Sequence, residues 1–209
     1  MGKYDLHIHT IHSKDSPSTV EDVVKAAKEA NLDGIAITDH NTIQGLEEAL
    51  EFSSKEFLIV PGIEVSSKDG HILGLGIRDK VTPRLSASKT VSEIREKGGI
   101  AIAAHPFGLN LKPFSALKAN FDAIEVLNPR RYLGNHLAKN YAEKHDIPQF
   151  SGSDAHFAEG VGMAGISIEG KPKVEELLKK IKRGEASVFG RTLPLRTYLQ
   201  RALYKFSAL

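Results

Sequence analysis

With 209 residues, 41% of them hydrophobic and 26% charged, the chain fits one soluble domain with a sizeable core. A formal charge of +2 gives no ground for nucleic-acid binding from charge alone. The absence of cysteine excludes disulfides, thiolate nucleophiles and cysteine-type zinc sites, so a metal would have to be held by nitrogen and oxygen.

Short apolar runs alternate with amphipathic helical patterns along the whole chain. The first expected strand, Tyr4–His9, carries His7 and His9 two residues apart and so on one face. His12 and Asp15 follow, before Ser18-Thr19 caps a helix over Thr19–Ala30 whose early Glu21 and Asp22 suit the positive end of its dipole. A strand over Gly34–Thr38 runs into Asp39 and His40, and a helix over Thr42–Phe52 comes next. The strand Leu58–Val65 brings Glu64 to its end, and His71 opens the strand His71–Ile77 after the turn-forming Lys68-Asp69-Gly70.

Gly98-Gly99 stops a helix over Ala87–Lys97 and leads into the wholly apolar strand Ile100–Ala104. His105 follows, with Pro106 expected to hold it extended. The strand Ala123–Leu127 precedes Arg130 and Arg131, either able to clamp a phosphate in a fork, and Lys112 is a weaker candidate of the same kind. His136 and His145 fall on the helix Tyr132–His145 and read as surface residues. After the strand Pro148–Ser151, Asp154 and His156 repeat the spacing of two. Helices over Lys173–Lys182 and Leu195–Phe206 complete the pattern, the terminal one read as packing on a single domain that spans residues 1–209.

Strands such as Ile100–Ala104, apolar on both faces, belong in a parallel sheet covered by helices. Donors placed at the ends of nearly every strand must meet at one point. An open sheet keeps its outer strands apart, whereas a barrel rings one mouth with the carboxyl ends of all its strands. The expected architecture is therefore an α/β barrel.

The segments His7-Ile8-His9-Thr10, Ile37-Thr38-Asp39-His40, Pro61-Gly62-Ile63-Glu64, His71-Ile72-Leu73-Gly74, Ala104-His105-Pro106 and Gly152-Ser153-Asp154-Ala155-His156 resemble, in order, the motifs of the PHP (polymerase and histidinol phosphatase) superfamily. That resemblance, running from about Tyr4 to His156, implies a distorted seven-stranded TIM-like barrel with two to three divalent metal ions at its mouth. It implies one ion on His7, His9, Glu64 and Asp154, a second on Glu64, His71 and His105, and a third on Asp15, His40 and His156. Imidazole and carboxylate without thiolate suit zinc, manganese or ferrous iron. Metal binding lowers the pKa of water from ~15.7 to about 7, so hydroxide held between two ions would attack phosphorus.

The expected activity is metal-dependent hydrolysis of a phosphate ester on a small phosphorylated metabolite, nucleotide or short oligonucleotide. Glu64 and Asp154 are its central catalytic residues, His12 a general acid and Arg130 a phosphate clamp. Asp39 could orient a neighbouring imidazole. Histidinol phosphate is the alternative substrate. A non-catalytic binding subunit of the same fold is disfavoured because every ligand position is filled, and carbon–nitrogen hydrolysis because no strand end offers a carboxylated-lysine candidate. No N-terminal run reads as a signal peptide and no stretch as a membrane span, so a cytoplasmic protein without an obligate protein partner is expected.

Overall fold

In the computed structural model, which describes residues 1–107 and 115–192, ten strands form two five-stranded sheets. The first sheet has the order β10-β9-β1-β2-β3, built from Ser187–Gly190, Ala164–Ile168, Gly2–Ile8, Gly34–Ile37 and Leu58–Val60. The second runs β4-β5-β6-β7-β8, built from Gly62–Ser66, His71–Leu75, Ile100–Ala103, Ala123–Leu127 and Gln149–Ser151. Five α-helices, α1 Val20–Glu29, α2 Gln44–Leu50, α3 Ala87–Glu96, α4 Tyr132–Lys144 and α5 Val174–Lys182, accompany them among the described residues.

A closed seven-stranded barrel is therefore not what the described residues form. The expected strand Leu58–Val65 is broken at Pro61, which has no N–H for a ladder, and the break separates the two sheets. β4 and β5 make an antiparallel hairpin, and β9 runs antiparallel to both β1 and β10, so both sheets are mixed. The sheets are nevertheless stitched where the site lies. Ile8 bridges to Ala155 and His40 to Glu64, with Asn41 N–H donating to the Glu64 carbonyl at 2.9 Å and His9 N–H to the Ala155 carbonyl at 2.9 Å.

The packing explains why the sheets face each other. One buried apolar group draws Tyr4 and Leu6 from β1, Val60 from β3, Leu73 and Leu75 from β5, Ile102 from β6 and Phe150 from β8 around a common interior. Leu177, Leu178 and Ile181 of α5 join it. Outside, α1 lays Val20, Val23, Val24 and Ala27 against the first sheet, and α3 lays Val91 and Ile94 against the second. α1 begins with a capping box in which Thr19 and Asp22 satisfy each other's backbone N–H, as the Ser18-Thr19 signal led us to expect. The terminal helix expected over Leu195–Phe206 and the candidate Lys112 lie outside the described residues.

Leu73 is completely buried in the shared interior, whereas Leu133 is 61% exposed. We expect Leu73→Ala to lower unfolding stability by about 2–5 kcal/mol in urea denaturation, and Leu133→Ala to stay within about 0.5 kcal/mol of the parent. Equal effects would mean that the two sheets do not share that core.

Candidate metal centre

Nine side chains converge where the two sheets meet. Most come from the carboxyl ends of strands or the loops after them, but Glu64 lies within β4 and His71 opens β5 at its amino end. This corrects the expectation of a site ringed by strand carboxyl ends alone. Glu64 sits within β4, fully buried, at their centre. Its Oε1 lies 3.0 Å from His105 Nε2 and 3.1 Å from His71 Nδ1. Its Oε2 lies 3.1 Å from His9 Nε2, 3.1 Å from His40 Nδ1 and 3.4 Å from His7 Nε2. Asp154 Oδ1 stands 3.3 Å from His9 Nε2 and 3.6 Å from His7 Nε2. Asp15 Oδ2 reaches His156 Nε2 at 2.9 Å and His40 Nε2 at 3.7 Å. The expected positions His7, His9, Asp15, His40, Glu64, His71, His105, Asp154 and His156 are thus brought together.

Local backbone chemistry sets this geometry. Gly152 lies so close behind His7 that a Cβ there would come within 2.4 Å of the His7 Cβ. His105 and Asp154 take positive φ values of 29° and 50°, conformations that L-residues avoid and that recur at functional sites. For His105 this corrects the extended conformation expected before Pro106. The surrounding hydrogen bonds, which tie its N–H to Glu125 at 2.8 Å, outweigh the local preference.

The donor set fits divalent ions. His7 Nε2, His9 Nε2, His40 Nδ1, His71 Nδ1 and Glu64 Oε2 are buried without a hydrogen-bond partner, although they lie close to one another. Such groups are normally satisfied, and leaving several unsatisfied in one place is expensive unless a cation completes them. The ligand atoms of His7, His9 and Glu64 all lie within 4.8 Å of one another, as do those of His40, Glu64 and His71, of His7, His105 and Asp154, and of His9, His40 and His156. Burial opposes a charge on His9, but the Asp154 and Glu64 carboxylates outweigh it and carry its pKa up to about 9. His7 is likewise desolvated, yet Glu125, Glu64 and Asp154 hold it well above the usual imidazole range. Against their own burial, Glu64 is held well below the carboxylate range by the imidazoles, chiefly His7, and Asp154 by Arg130 and His7.

Of the other candidates, Arg130 contacts this cluster, while His12 and Asp39 are engaged elsewhere. His12 turns away to Glu48, its Nε2 2.7 Å from Oε1. Asp39 accepts from Thr10 N–H at 2.6 Å and Thr10 hydroxyl at 2.7 Å rather than from an imidazole, because Thr10 faces it across the β1–β2 seam. Arg130 donates to Asp154 Oδ1 at 3.3 Å and lies against the His156 ring. His136 and His145 are exposed.

Several residues that shape the cluster escaped the sequence reading. Glu125 in β7 is 1% exposed, with Oε1 2.8 Å from His7 Nδ1. Asn128, also buried, donates to Glu125 Oε2 at 3.0 Å and Asp154 Oδ2 at 3.2 Å. Ser13 meets His9 Nδ1 at 3.2 Å and accepts from the His40 N–H at 2.9 Å. Asp5 is fully buried, and desolvation raises its pKa to about 6 against N–H donors from Ser153 and Gly162. A carboxylate inside an otherwise apolar strand was the available signal for Glu125.

Comparison with known proteins matches residues 5–73 to the PHP domain and residues 133–186 to the PHP-associated family. The uncharacterized protein MJ1587 of Methanocaldococcus jannaschii is 35% identical over 163 residues, which cover 70% of this chain and 94% of that protein. The chain belongs to the PHP family. A 5'-3' exoribonuclease of Haemophilus influenzae is 36% identical to this PHP chain over 107 residues, 48% of the chain but 38% of the exoribonuclease. In fold, the chain superposes with a TM-score of 0.77 and 16% identity on a two-domain protein of Bacteroides vulgatus described as containing a predicted PHP-like metal-dependent phosphoesterase. That match covers 90% of this chain and 64% of the other. No helix among the described residues of this PHP protein is long and apolar enough to cross a membrane.

The raised imidazole pKa values carry a pH dependence. A histidine whose folded pKa lies above its unfolded value stabilises the fold fully below the unfolded pKa and loses that contribution as pH rises through the folded one. For His9 that window runs from about 6.5 to about 9, and the shift corresponds to a contribution on the order of 3 kcal/mol. Chelator-treated protein should therefore lose Tm between pH 6.5 and 9, a loss readable by calorimetry. A flat or rising Tm across that interval would contradict the charge pairing of His9 with Asp154 and Glu64.

Proposed function

We propose that this chain is a hydrolase of phosphate esters whose work is done at the Glu64-centred cluster. The chain is a metal-dependent phosphoesterase. The observation that carries this reading is the convergence of five imidazoles on one buried carboxylate, with ring nitrogens left unsatisfied. His7, His9, Glu64 and Asp154 would hold one ion, Glu64, His71 and His105 a second, and Asp15, His40 and His156 a third. Zinc, manganese or ferrous iron suit these donors. When bound, the ions would neutralise charge on phosphate oxygens and bring the pKa of water down to about 7.

The protein's own groups divide the remaining work. His7, His9 and Glu64 are sealed from solvent, whereas Asp15, His40 and His71 are 32%, 23% and 37% exposed in their side chains, so the substrate approaches from their side. Arg130, 32% exposed and paired with Asp154, stands beside them and can turn an N–H toward a phosphate oxygen. His12 is held by Glu48, and releasing that carboxylate would free its ring to protonate a leaving oxygen. We read the two sheets as one distorted barrel and residues 1–209 as one domain. The substrate we favour is a small phosphorylated metabolite, nucleotide or short oligonucleotide, and we read the protein as cytoplasmic. The exoribonuclease likeness over 107 residues supports the nucleotide side of that range.

The test is phosphate or nucleotide release from nucleotides, bisphosphorylated nucleotides, histidinol phosphate and a short RNA, with added manganese and with chelator. We expect turnover that chelator abolishes and that falls by about a hundredfold or more in Asp154→Asn, the scale set by loss of one electrostatic group at a reacting centre. Turnover indifferent to chelator and to Asp154→Asn would sink the proposal. So would inactivity on every substrate by protein verified to carry metal, an outcome that would return the chain to a binding role.

A further inference from the structure

We propose that Glu125 is a positioning residue that fixes which nitrogen of His7 faces the cluster and, through its other oxygen, sets His105 and Asp154 in register with it. The inference rests on the metal-binding reading above and adds a residue that lies outside the nine expected ligands. Glu125 is buried in β7, and both its oxygens are used as acceptors. Oε1 meets His7 Nδ1 at 2.8 Å. Oε2 accepts the His105 backbone N–H at 2.8 Å and the Asn128 side-chain amide at 3.0 Å.

An ionised carboxylate can only accept, so the proton of neutral His7 must sit on Nδ1. That leaves the Nε2 lone pair directed at Glu64 and Asp154. A hydrogen bond of this kind on the far nitrogen of an imidazole sets its tautomer, its ring orientation and its basicity toward a metal.

Asn128 extends the same control to a third ligand. Its amide carries two hydrogens, one spent on Glu125 Oε2 and the other on Asp154 Oδ2 at 3.2 Å. Its own oxygen accepts the Arg130 N–H at 3.0 Å, and Asn135 of α4 clamps its backbone on both sides at 3.0 and 2.9 Å. The amide is therefore held one way round, since flipping it would set two donors face to face. One carboxylate thus sits behind His7, His105 and, by way of Asn128, Asp154.

The arrangement makes an isosteric substitution informative. In Glu125→Gln the single amide oxygen can serve either the two N–H groups of His105 and Asn128 or the His7 ring. Serving the pair turns the new NH2 toward His7 Nδ1, which must then accept, and the His7 proton moves to Nε2. An Nε2–H imidazole has no lone pair for a metal. Glu125→Asp keeps two acceptor oxygens on a shorter arm and so retains the chemistry while spoiling the fit.

The experiment compares wild-type, Glu125→Gln and Glu125→Asp protein by zinc competition against a chelating dye and by long-range proton–nitrogen NMR of 15N-histidine protein loaded with zinc. We expect Glu125→Gln to bind zinc roughly 10–100-fold more weakly with His7 protonated on Nε2. Glu125→Asp should fall between it and wild type with His7 still protonated on Nδ1. The reverse ranking, with the glutamine variant near wild type, would show that Glu125 only fills space, and an unchanged His7 tautomer in that variant would also overturn the inference. If Glu125→Gln does not fold, Glu125→Asp carries the test, and Nε2 protonation there refutes it. A wild-type protein that takes up no zinc, manganese or iron would remove the metal reading itself, a result separable from these.

Discussion

A carboxylate with no solvent contact, faced by imidazoles from both sheets, is the constraint around which this molecule is arranged. Burying an ionised carboxylate alone costs far more than any single contact returns. Glu64 is tolerable because His7 comes from β1 and His9 from just past its end, His40 from the loop after β2, His71 from the start of β5 and His105 from just past β6. Remove the convergence and the buried charge has nothing to answer it. The direction of the pKa shifts, His7 and His9 up and Glu64 and Asp154 down, is the same statement in protonation terms.

The packing serves that constraint directly. Pro61 ends one sheet and Gly62 begins the next, so Glu64 enters the structure at a seam rather than in the middle of a continuous ladder. The antiparallel hairpin of β4 and β5 then sets Ser66 opposite His71, which returns an imidazole to the neighbourhood of the carboxylate within a few residues. On the other side, Ile8 pairs with Ala155, bringing the Asp154 and His156 loop up against the His7 and His9 strand. Irregular backbone at His105 and Asp154 completes the aim of the side chains, held there by hydrogen bonds rather than by preference.

How much of this the sequence makes legible depends on the kind of signal. Apolar runs such as Ile100–Ala103 and Ala123–Leu127 announce their strands, and the Thr19 cap announces α1, because burial and capping are local chemistry. Strand direction is not local, so an all-parallel closed barrel was the natural expectation and two mixed sheets the outcome. β9 and β10 were missed because Ala164–Ile168 and Ser187–Gly190 are broken or ended by glycine and carry no ligand to draw notice. The nine converging side chains could be read because histidine and carboxylate at strand ends are rare in combination. Glu125 left only a weak signal and Asn128 none, since one acid in a strand and one amide in a loop have common solvated explanations until their partners are seen. His12 and Asp39 show the converse, residues close in sequence to the cluster whose side chains were claimed by Glu48 and Thr10.

The seam has a meaning for the life of the protein as well as for its chemistry. Ligands drawn from both sheets make any ion they hold a rivet across the joint, so that binding free energy becomes adhesion between two halves of the chain. A protein built in this way is sturdy when its cell is rich in the ion and easily opened by proteases when it is not. Its abundance would then follow metal supply without any dedicated sensor, because the fold itself would register the scarcity.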